Sequence, residues 1–398
     1  MANHTLTTTI RFSDEQAMLL EAASAFCRDQ SPSSAVRARF GSETGFDAAH
    51  WQAMVDMGWL GIAVPEAHGG SGLGLGACVV VAEPLGRHLL HTPFVPTQLA
   101  IQGLLAGASA AQQAGWLPRL ATGAVGTVAL FEADGDWDLH AITASAQMTG
   151  ATATLSGRKT LVPDAAVADL LLASVQLNGA PALALLTQAD IAGRLQRETV
   201  IDETRRSFSL RLDGLQVPAA SLITGAAAAQ ALAAIRQAAW LLAAAEAAGG
   251  IAGVLAVTLD YLNTRNAFGR KIGSYQALKH GCADILCQLE RVRSHVYHAA
   301  TLLADRTSGT SGTSGTSAAS VAAEADAEIA LRMAKAEAGD AFVQAGDRAV
   351  QFHGGFGFTW DCDAQLHLRR ALWLQPWFGD AGHHRRALAG LLLDAAAA

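Results

Sequence analysis

A stretch near the end of the chain, QFHGGFGFTWDCDAQLHLRR, combines a glycine turn with carboxylates and arginines. It runs from Gln351 to Arg370, and three of its glycines fall within four positions. Asp361 and Asp363 follow the turn, so one interpretation is proton transfer by a carboxylate. The alternative is that the glycines let the backbone approach a cofactor. In that case the aspartates merely cap the next helix.

A second stretch, YLNTRNAFGRKIGSYQALKHGCAD, spans Tyr261 to Asp284 and interrupts a helical pattern. Arg265 stands at the predicted end of one helix, Phe268 and Gly269 lie in the break, and Gln276 begins the next helix. Taken singly, this stretch favours a plain interpretation, a surface arginine followed by a glycine that ends the helix.

The elements that position these stretches change type twice along the chain. Residues 1–124 predict an N-terminal helical domain, where Ser13 and Gln16 match a capping box. Residues 125–223 hold short β-prone runs separated by turn residues, which predicts an antiparallel β domain. Residues 224–398 predict long helices in a four-helix bundle, with the polar TSGTSGTSGTS segment (307–317) as a linker. The predicted fold class is therefore multidomain α+β.

Composition limits the functions that this chain can have. Of its 398 residues 51% are hydrophobic and 16% charged, which predicts an ordered, well-buried protein. The net charge of −7 and the lack of a Lys/Arg block argue against nucleic-acid or membrane-surface binding. The apolar run from Ala238 to Ala245 ends at Glu246, short of the roughly 20 residues needed to span a bilayer. Residues 1–16 lack the apolar core that a signal peptide needs, so none is expected there. Five scattered cysteines predict reduced thiols in the cytoplasm and no metal site.

Together the two stretches resemble the acyl-CoA dehydrogenase family. TRNAFGRKIGSYQALKH is similar to the family's R-x-x-F-G pattern with its downstream glutamine. QFHGGFGFTWD followed by LRRA is similar to its Q-x-x-G-G-x-G pattern, and GWLGIAVPEAHGGSGLG to its first-domain loop. The resemblance extends from about Phe12 to Leu392, and the α–β–α order agrees with it.

The resemblance implies an FAD-dependent enzyme that oxidises an acyl-CoA to its 2,3-enoyl form. FAD would lie between the β domain and the bundle, with part of its site supplied by a neighbouring subunit. By position, the residues that contact FAD would be Arg265, Phe268, Gln276, Gln351, Gly354 and Gly355. An arginine fork suits a pyrophosphate, and glycine permits close approach of the backbone. An electron-transfer flavoprotein would accept the electrons, and the enzyme would be a homo- or heterotetramer.

The reaction needs a carboxylate that removes the α proton, and here the sequence departs from the family. In RRALWLQPWFGD, Phe378 stands where straight-chain members carry that glutamate. Other members carry the base on the helix before R-x-x-F-G, where Glu246 lies in LLAAAEAAGG. Burial among alanine and leucine would raise the pKa of Glu246 towards neutrality. Asp361 is the weaker candidate, since capping also explains it.

The β domain departs further from the family's pattern. Two segments touch the flavin in the family. The corresponding segments here are FEADGDWD (131–138) and GRKTLVPDAAVADLLL (157–172), and both are degenerate versions of the family's motifs. Similar versions occur in bacterial members that act on steroid side chains or other bulky CoA esters, several of which assemble from two different subunits. One alternative is therefore a half-site or non-catalytic subunit. Another is a nitroalkane-type flavin oxidase, with Asp380 as its base.

Overall fold

The computed structural model describes residues 13–134, 137, 139, 141–308 and 318–394. The first region is helical: α1 (Asp14–Gln30), α2 (Ser33–Ala38), α3 (Ala48–Asp56), α4 (Gly74–Ala77), α5 (Val79–Arg87), α6 (Phe94–Gly107) and α7 (Ala110–Ala121). The predicted capping box at the start of α1 is confirmed, because the Ser13 hydroxyl accepts from the Gln16 N–H at 3.1 Å and the Gln16 side chain accepts from the Ser13 N–H. The residues before Ser13 lie outside the described part.

In its described residues, the middle region contains two sheets and the short α-helix α8 (Gln188–Ile191). The strands are β1 (Gly126–Ala129), β2 (Ser145–Thr149), β3 (Thr152–Ser156), β4 (Arg158–Pro163), β5 (Leu170–Leu177), β6 (Ala180–Thr187), β7 (Leu195–Glu198), β8 (Ser207–Arg211), β9 (Leu215–Pro218) and β10 (Leu222–Thr224). The larger sheet has the order β10–β6–β5–β2–β3–β9, with β1 paired to β5, and the smaller has the order β4–β8–β7. Pairing is antiparallel except that β5 runs parallel to β1 and β2.

The third region is the helical bundle, which confirms the predicted fold class. Its elements are α9 (Ala226–Thr264), the hairpin β11 (Asn266–Ala267) and β12 (Arg270–Lys271), α10 (Gln276–Ser308), α11 (Ala318–Phe352), α12 (Ala364–Leu374) and α13 (Ala381–Ala389). α10 continues through Ser308, where the sequence predicted that a linker had begun. The rest of that predicted linker, 309–317, lies outside the described residues.

Helix α9 is the centre of the molecule and packs against α5, α6, α10, α11 and α12. It is 39 residues long, and 89% of its most apolar window is buried inside the protein, as expected of a core helix. Close packing depends on glycine. A Cβ on Gly249 would lie 1.8 Å from the Glu83 carbonyl oxygen of α5, and one on Gly250 would lie 2.1 Å from the Phe342 ring of α11. Glu246 therefore lies within a continuous buried helix and does not end it.

Candidate functional site

The R-x-x-F-G stretch forms an exposed arm at one end of the bundle. Arg265 ends α9, and β11 and β12 form a hairpin whose two-residue turn is Phe268–Gly269. Both turn residues have positive φ, +53° and +77°, as a type I′ turn requires. Such a φ is costly for phenylalanine, yet the Phe268 side chain is 94% exposed. No contact among the described residues explains an exposed aromatic ring on a strained turn.

The glycine turn after α11 lies beside this arm. Tyr261 near the end of α9 stacks on His353 at 4.3 Å and donates its hydroxyl to the His353 carbonyl at 3.3 Å. Gly354 has a φ of +61°, which favours glycine, whereas Gly355 has no such requirement. A Cβ at either position would meet open space, so packing within the chain does not demand these glycines. Both are exposed, which leaves their backbone accessible from outside the chain.

A cleft of about 260 Å³ lies between α10 and α11, and two of its lining residues are the sequence neighbours of the two predicted glutamines. Gln276 directly precedes Ala277, and Gln351 directly precedes Phe352, two residues that line the cleft. Arg348, which also lines it, donates to the Gln351 amide oxygen at 3.0 Å. The structure thus brings all six predicted cofactor contacts to one exposed end of the bundle.

Glu246 does not have the apolar surroundings that the sequence predicted. Its carboxylate accepts hydrogen bonds from Arg205 and from Arg370, both largely buried. Burial by itself would raise the pKa of Glu246, but the charges of Arg205 and Arg370 outweigh burial and hold that pKa below its usual range. The expectation of a raised pKa is therefore wrong, because the sequence did not reveal the two arginines.

Arg370 also joins three elements in one buried polar cluster. Its Nε donates to Asp202 and its Nη2 to the Thr204 hydroxyl, so the loop before β8 is connected to α12 and α9. Arg370 and Asp202 are almost completely buried. Their opposite charges lower the pKa of Asp202 despite its burial and raise that of Arg370. We call Asp202, Thr204, Arg205, Glu246 and Arg370 the junction cluster.

The capping interpretation expected the two aspartates after the glycine turn to cap α12, and neither side chain does so. Asp361 is exposed on the turn before α12. Asp363 occupies the N-cap of α12 without making a side-chain cap, and instead pairs with Arg37 of α2 at 2.9 Å. Asp380 is the aspartate that caps a helix, since its Oδ1 accepts from the His383 N–H at 2.7 Å at the start of α13. The carboxylate proposed as an oxidase base thus has a structural partner.

The loop from α12 to α13 carries Phe378, at the position where the resemblance implies the family's base. Phe378 is buried and has a φ of +56°, and its ring meets that of Phe131 edge-on at 4.8 Å. Trp240 of α9 donates its indole N–H to the Phe378 carbonyl at 2.9 Å. The Lys335 ammonium holds the same loop by donating to the carbonyls of Leu374, Gln375 and Gly379 at 2.8–3.2 Å. The loop is therefore rigidly fixed from α9 and α11.

A cavity of about 330 Å³ opens between this loop and the β domain. Its lining is almost entirely carbon: Phe131, Glu132, Trp137, Leu161, Val200, Ile201, Leu372, Trp373, Pro376 and Trp377. Glu132 is the only carboxylate among these, and it pairs with the buried Lys159 at 2.6 Å. We call this space the tryptophan cavity. Neither Glu246 nor Asp361 lines it.

The exposed arm and the tryptophan cavity differ in how well their chemistry suits FAD. The exposed arm offers the Arg265 guanidinium and accessible glycine backbone, which suit a pyrophosphate and an adenosine. The tryptophan cavity offers carbon where the polar edge of an isoalloxazine ring would need hydrogen-bond partners. Residues 135, 136 and 138 of the first flavin-contacting segment lie outside the described part. Among the described residues, the exposed arm therefore suits the dinucleotide end of FAD, and the lining of the tryptophan cavity does not suit its ring.

Sequence reasoning missed the junction cluster and the tryptophan cavity. Trp373 and Trp377 stand four residues apart with Pro376 and Phe378 nearby, an aromatic density that stands out in a chain with eight tryptophans. No comparable pattern marks Asp202 or Arg370, because their partners are distant in sequence. Within the described residues, no group of three or more His, Cys, Asp or Glu side chains is placed to hold a metal ion.

Comparisons with known proteins identify the family and the fold of the chain. Residues 13–124 match the model of the acyl-CoA dehydrogenase N-terminal domain, and 226–393 match that of the C-terminal domain. The acyl-CoA dehydrogenase IpdE2 of Mycolicibacterium smegmatis is 31% identical over 364 residues, covering 90% of this chain and 93% of that protein. The solved Tcur3481-Tcur3483 steroid ACAD has a TM-score of 0.81 at 29% identity over 96% of this chain and 99% of that chain. The ChsE4-ChsE5 complex from Mycobacterium tuberculosis has a TM-score of 0.83 at 25% identity over 97% and 99%.

Proposed function

Because the chain belongs to the acyl-CoA dehydrogenase family, oxidoreductases that act on acyl-CoA, we propose that it takes part in α,β-dehydrogenation of an acyl-CoA thioester with FAD held between subunits. One observation carries this proposal. Phe268 is 94% exposed on a strained turn beside the exposed Arg265, an arrangement that only a ligand or a chain from outside would bury.

The arm and the glycine turn would hold the dinucleotide end of a cofactor seated mainly on the neighbouring subunit. Arg265 would pair with the pyrophosphate, and Phe268 would pack along the adenosine. Gln276 and Gln351 would contact the same end from either side of the α10–α11 cleft. Gly354 and Gly355 would allow the backbone to approach closely, since a Cβ there meets nothing in this chain.

FAD in this family supplies a hydride acceptor for the β hydrogen of the acyl group. This chain's own residues would bind the dinucleotide end of the cofactor and orient it. The sequence predicts Glu246 or Asp361 as the base that removes the α proton. The ion pairs of Glu246 and the exposure of Asp361 outside the cavity weaken both candidates, and a base from a second, related chain would fit only the hetero-oligomer described next. An electron-transfer flavoprotein is the proposed electron acceptor.

A second candidate is favoured by the Phe131–Phe378 contact. This chain would be the half-site subunit of a hetero-oligomer, completing the flavin site of a related subunit without holding a flavin ring itself. The buried phenylalanine at the base position and the carbon lining of the tryptophan cavity both support it. The two candidates assign the arm the same role and differ in whether this chain binds its own FAD.

Flavin content per chain separates the two candidates. The full chain is purified alone and again after co-expression with a related chain from the same genome. Bound FAD is measured by absorbance after extensive dialysis, and anaerobic mixing with straight, branched and steroid-derived CoA esters follows flavin bleaching.

One FAD per chain and bleaching by the homo-oligomer support the self-sufficient dehydrogenase. No flavin alone, with one FAD per pair of chains in the co-purified oligomer, supports the half-site subunit. If neither preparation retains flavin or is bleached by any ester, the proposed function is wrong.

A further inference from the structure

We propose that Arg37 is a positioning residue of the glycine turn at Gly354–Gly355 and connects that turn to the N-terminal region. It lies on a segment, residues 33–46, that comprises α2 and the loop leading to α3. We call this segment the strap. It contacts both the β domain and the backbone that follows the glycine turn. A consequence for flavin binding rests on the proposed function, whereas the effect of Arg37 on the turn does not.

The Arg37 guanidinium holds the chain beyond the glycine turn with two of its nitrogens. Its Nη1 donates to the Trp360 carbonyl oxygen, and its Nη2 donates to the Asp363 carboxylate at 2.9 Å. Phe40, also on the strap, meets the Trp360 ring edge-on at 5.6 Å. A planar guanidinium that binds two acceptors fixes their geometry more strictly than a single contact does. The backbone from Trp360 to Asp363 is therefore held in one arrangement relative to α2.

The glycine turn itself is built from short-range hydrogen bonds. The backbone N–H groups of Gly357, Thr359 and Cys362 each donate to the carbonyl three residues earlier, at 2.9–3.2 Å. Hydrogen bonds of this spacing have poorer geometry than those of an α-helix. The stacking of Tyr261 on His353 holds the near end of this segment. The strap supplies the anchor at the far end.

Arg206, directly before β8, fastens the strap to the β domain. It is almost completely buried and donates to the carbonyl oxygens of Arg39, Phe40 and Ser42. A Cβ on Gly45 would lie 2.7 Å from the Arg206 Cγ, so glycine permits this close approach. Helix α2 has only six residues and no side-chain N-cap, so its own helical stability is small. The contacts of Arg206 therefore give the strap the fixed position that an anchor needs.

Arg39 offers a matched control two residues further along the strap. The side chains of Arg37 and Arg39 are 21% and 24% exposed, and each forms an ion pair at 2.9 Å. Arg39 pairs with Asp47, the N-cap of α3, within the N-terminal region. Arg37 instead pairs with a residue 326 positions away. Replacing either arginine by methionine removes the same chemistry, but only one replacement releases the backbone beyond the glycine turn.

Hydrogen exchange of backbone amides reports on the glycine turn without any flavin. The full chain, with any partner chain that accompanies it, is compared with Arg37→Met and Arg39→Met by mass spectrometry of peptides covering 353–362. In Arg37→Met we expect this segment to exchange at least tenfold faster at an unchanged melting temperature, because local opening becomes easier. Arg39→Met should exchange as the parent does. Equal exchange in the two variants, or faster exchange throughout the chain with a lower melting temperature, overturns the inference.

The FAD retained by the oligomer after dialysis measures the consequence for the cofactor. Arg37→Met should retain FAD roughly tenfold more weakly, since ordering a loosened turn on binding costs conformational entropy. Arg39→Met should retain FAD as the parent does. Asp363→Asn removes the charged partner, and combining it with Arg37→Met should lose no more FAD than Arg37→Met alone. Additive losses in the double variant would mean that the two residues act separately, which overturns the inference.

The two measurements separate this inference from the proposed function. Suppose that the turn exchanges faster in Arg37→Met while the parent oligomer binds no FAD. The proposed function is then wrong, and the positioning of the turn by Arg37 is supported. If the parent binds FAD and Arg37→Met retains it as firmly as Arg39→Met does, the positioning role is wrong and the proposed function stands.

Discussion

At the scale of single residues, Arg370 is the fully buried cation that pairs with two buried carboxylates. Its guanidinium lies between the buried carboxylates of Asp202 and Glu246, with Arg205 as the second cation. Breaking a buried pair leaves an uncompensated charge, which costs about 3–5 kcal/mol. We therefore expect Arg370→Met to lower the free energy of unfolding by about that amount, measured by urea denaturation.

The adjacent Arg369 offers a matched control for that variant. It pairs with Glu203 at 3.2 Å, but both side chains are at least one-third exposed. Surface pairs contribute about 0–1 kcal/mol. Arg369→Met should therefore change stability little, and equal losses in the two variants would refute a structural role for the junction cluster.

Glu246→Gln tests whether the same cluster also performs proton transfer. A carboxylate with a lowered pKa and two arginine partners is a weak base, so we expect a mainly structural effect. Stability should fall by about 1–3 kcal/mol. The flavin-bleaching rate of the folded oligomer should change by less than the roughly 100-fold that loss of a base costs. A 100-fold slower rate at unchanged stability would establish Glu246 as the base, and Asp361→Asn is the comparison variant.

At the scale of elements, the hairpin of β11 and β12 presents Arg265 and Phe268 away from the bundle. Among the described residues the Arg265 side chain makes no hydrogen bond, so removing it leaves no buried group unpaired. Arg265→Ala should keep the parent's melting temperature and weaken flavin retention in the oligomer by roughly one to two decades, the value of a charge-assisted contact. The measurement is FAD content after dialysis. The exposed Arg28→Ala on α1 is the control, and retention equal to that of the parent would remove Arg265 from the site.

At the scale of the whole molecule, the sequence predicted the order of elements well, because each was marked locally. The capping pair Ser13 and Gln16, the turn at Phe268–Gly269 and the long apolar repeat of α9 all act within a few residues of one another. The strands β2, β4 and β7 are marked only weakly in the sequence, because their apolar positions are few and their stability comes from pairing. The junction cluster depends on contacts such as Asp202 with Arg370, 168 residues apart, which no local pattern records.

We expect the stability of the fold to fall in acid. Two buried histidines, His367 on α12 and His384 on α13, are held neutral in the folded protein. Burial lowers both pKa values to about 3, assisted by the charge of Arg370 near His367 and of Lys335 near His384. In the unfolded chain these pKa values return to about 6.5. Between pH 6.5 and 3 these two histidines therefore bind protons in the unfolded state but not in the folded state.

Stability should then be fully present above pH 6.5 and fall as the pH drops towards 3. Each histidine contributes a slope of about 1.4 kcal/mol per pH unit in this window. His384→Phe keeps a ring edge-on to Trp240, which the histidine meets at 5.3 Å, but removes one titrating group. Urea midpoints measured from pH 7.5 to 4.5 should show a shallower slope for the variant than for the parent. Identical slopes would mean that His384 titrates alike in the folded and unfolded states, contrary to its burial.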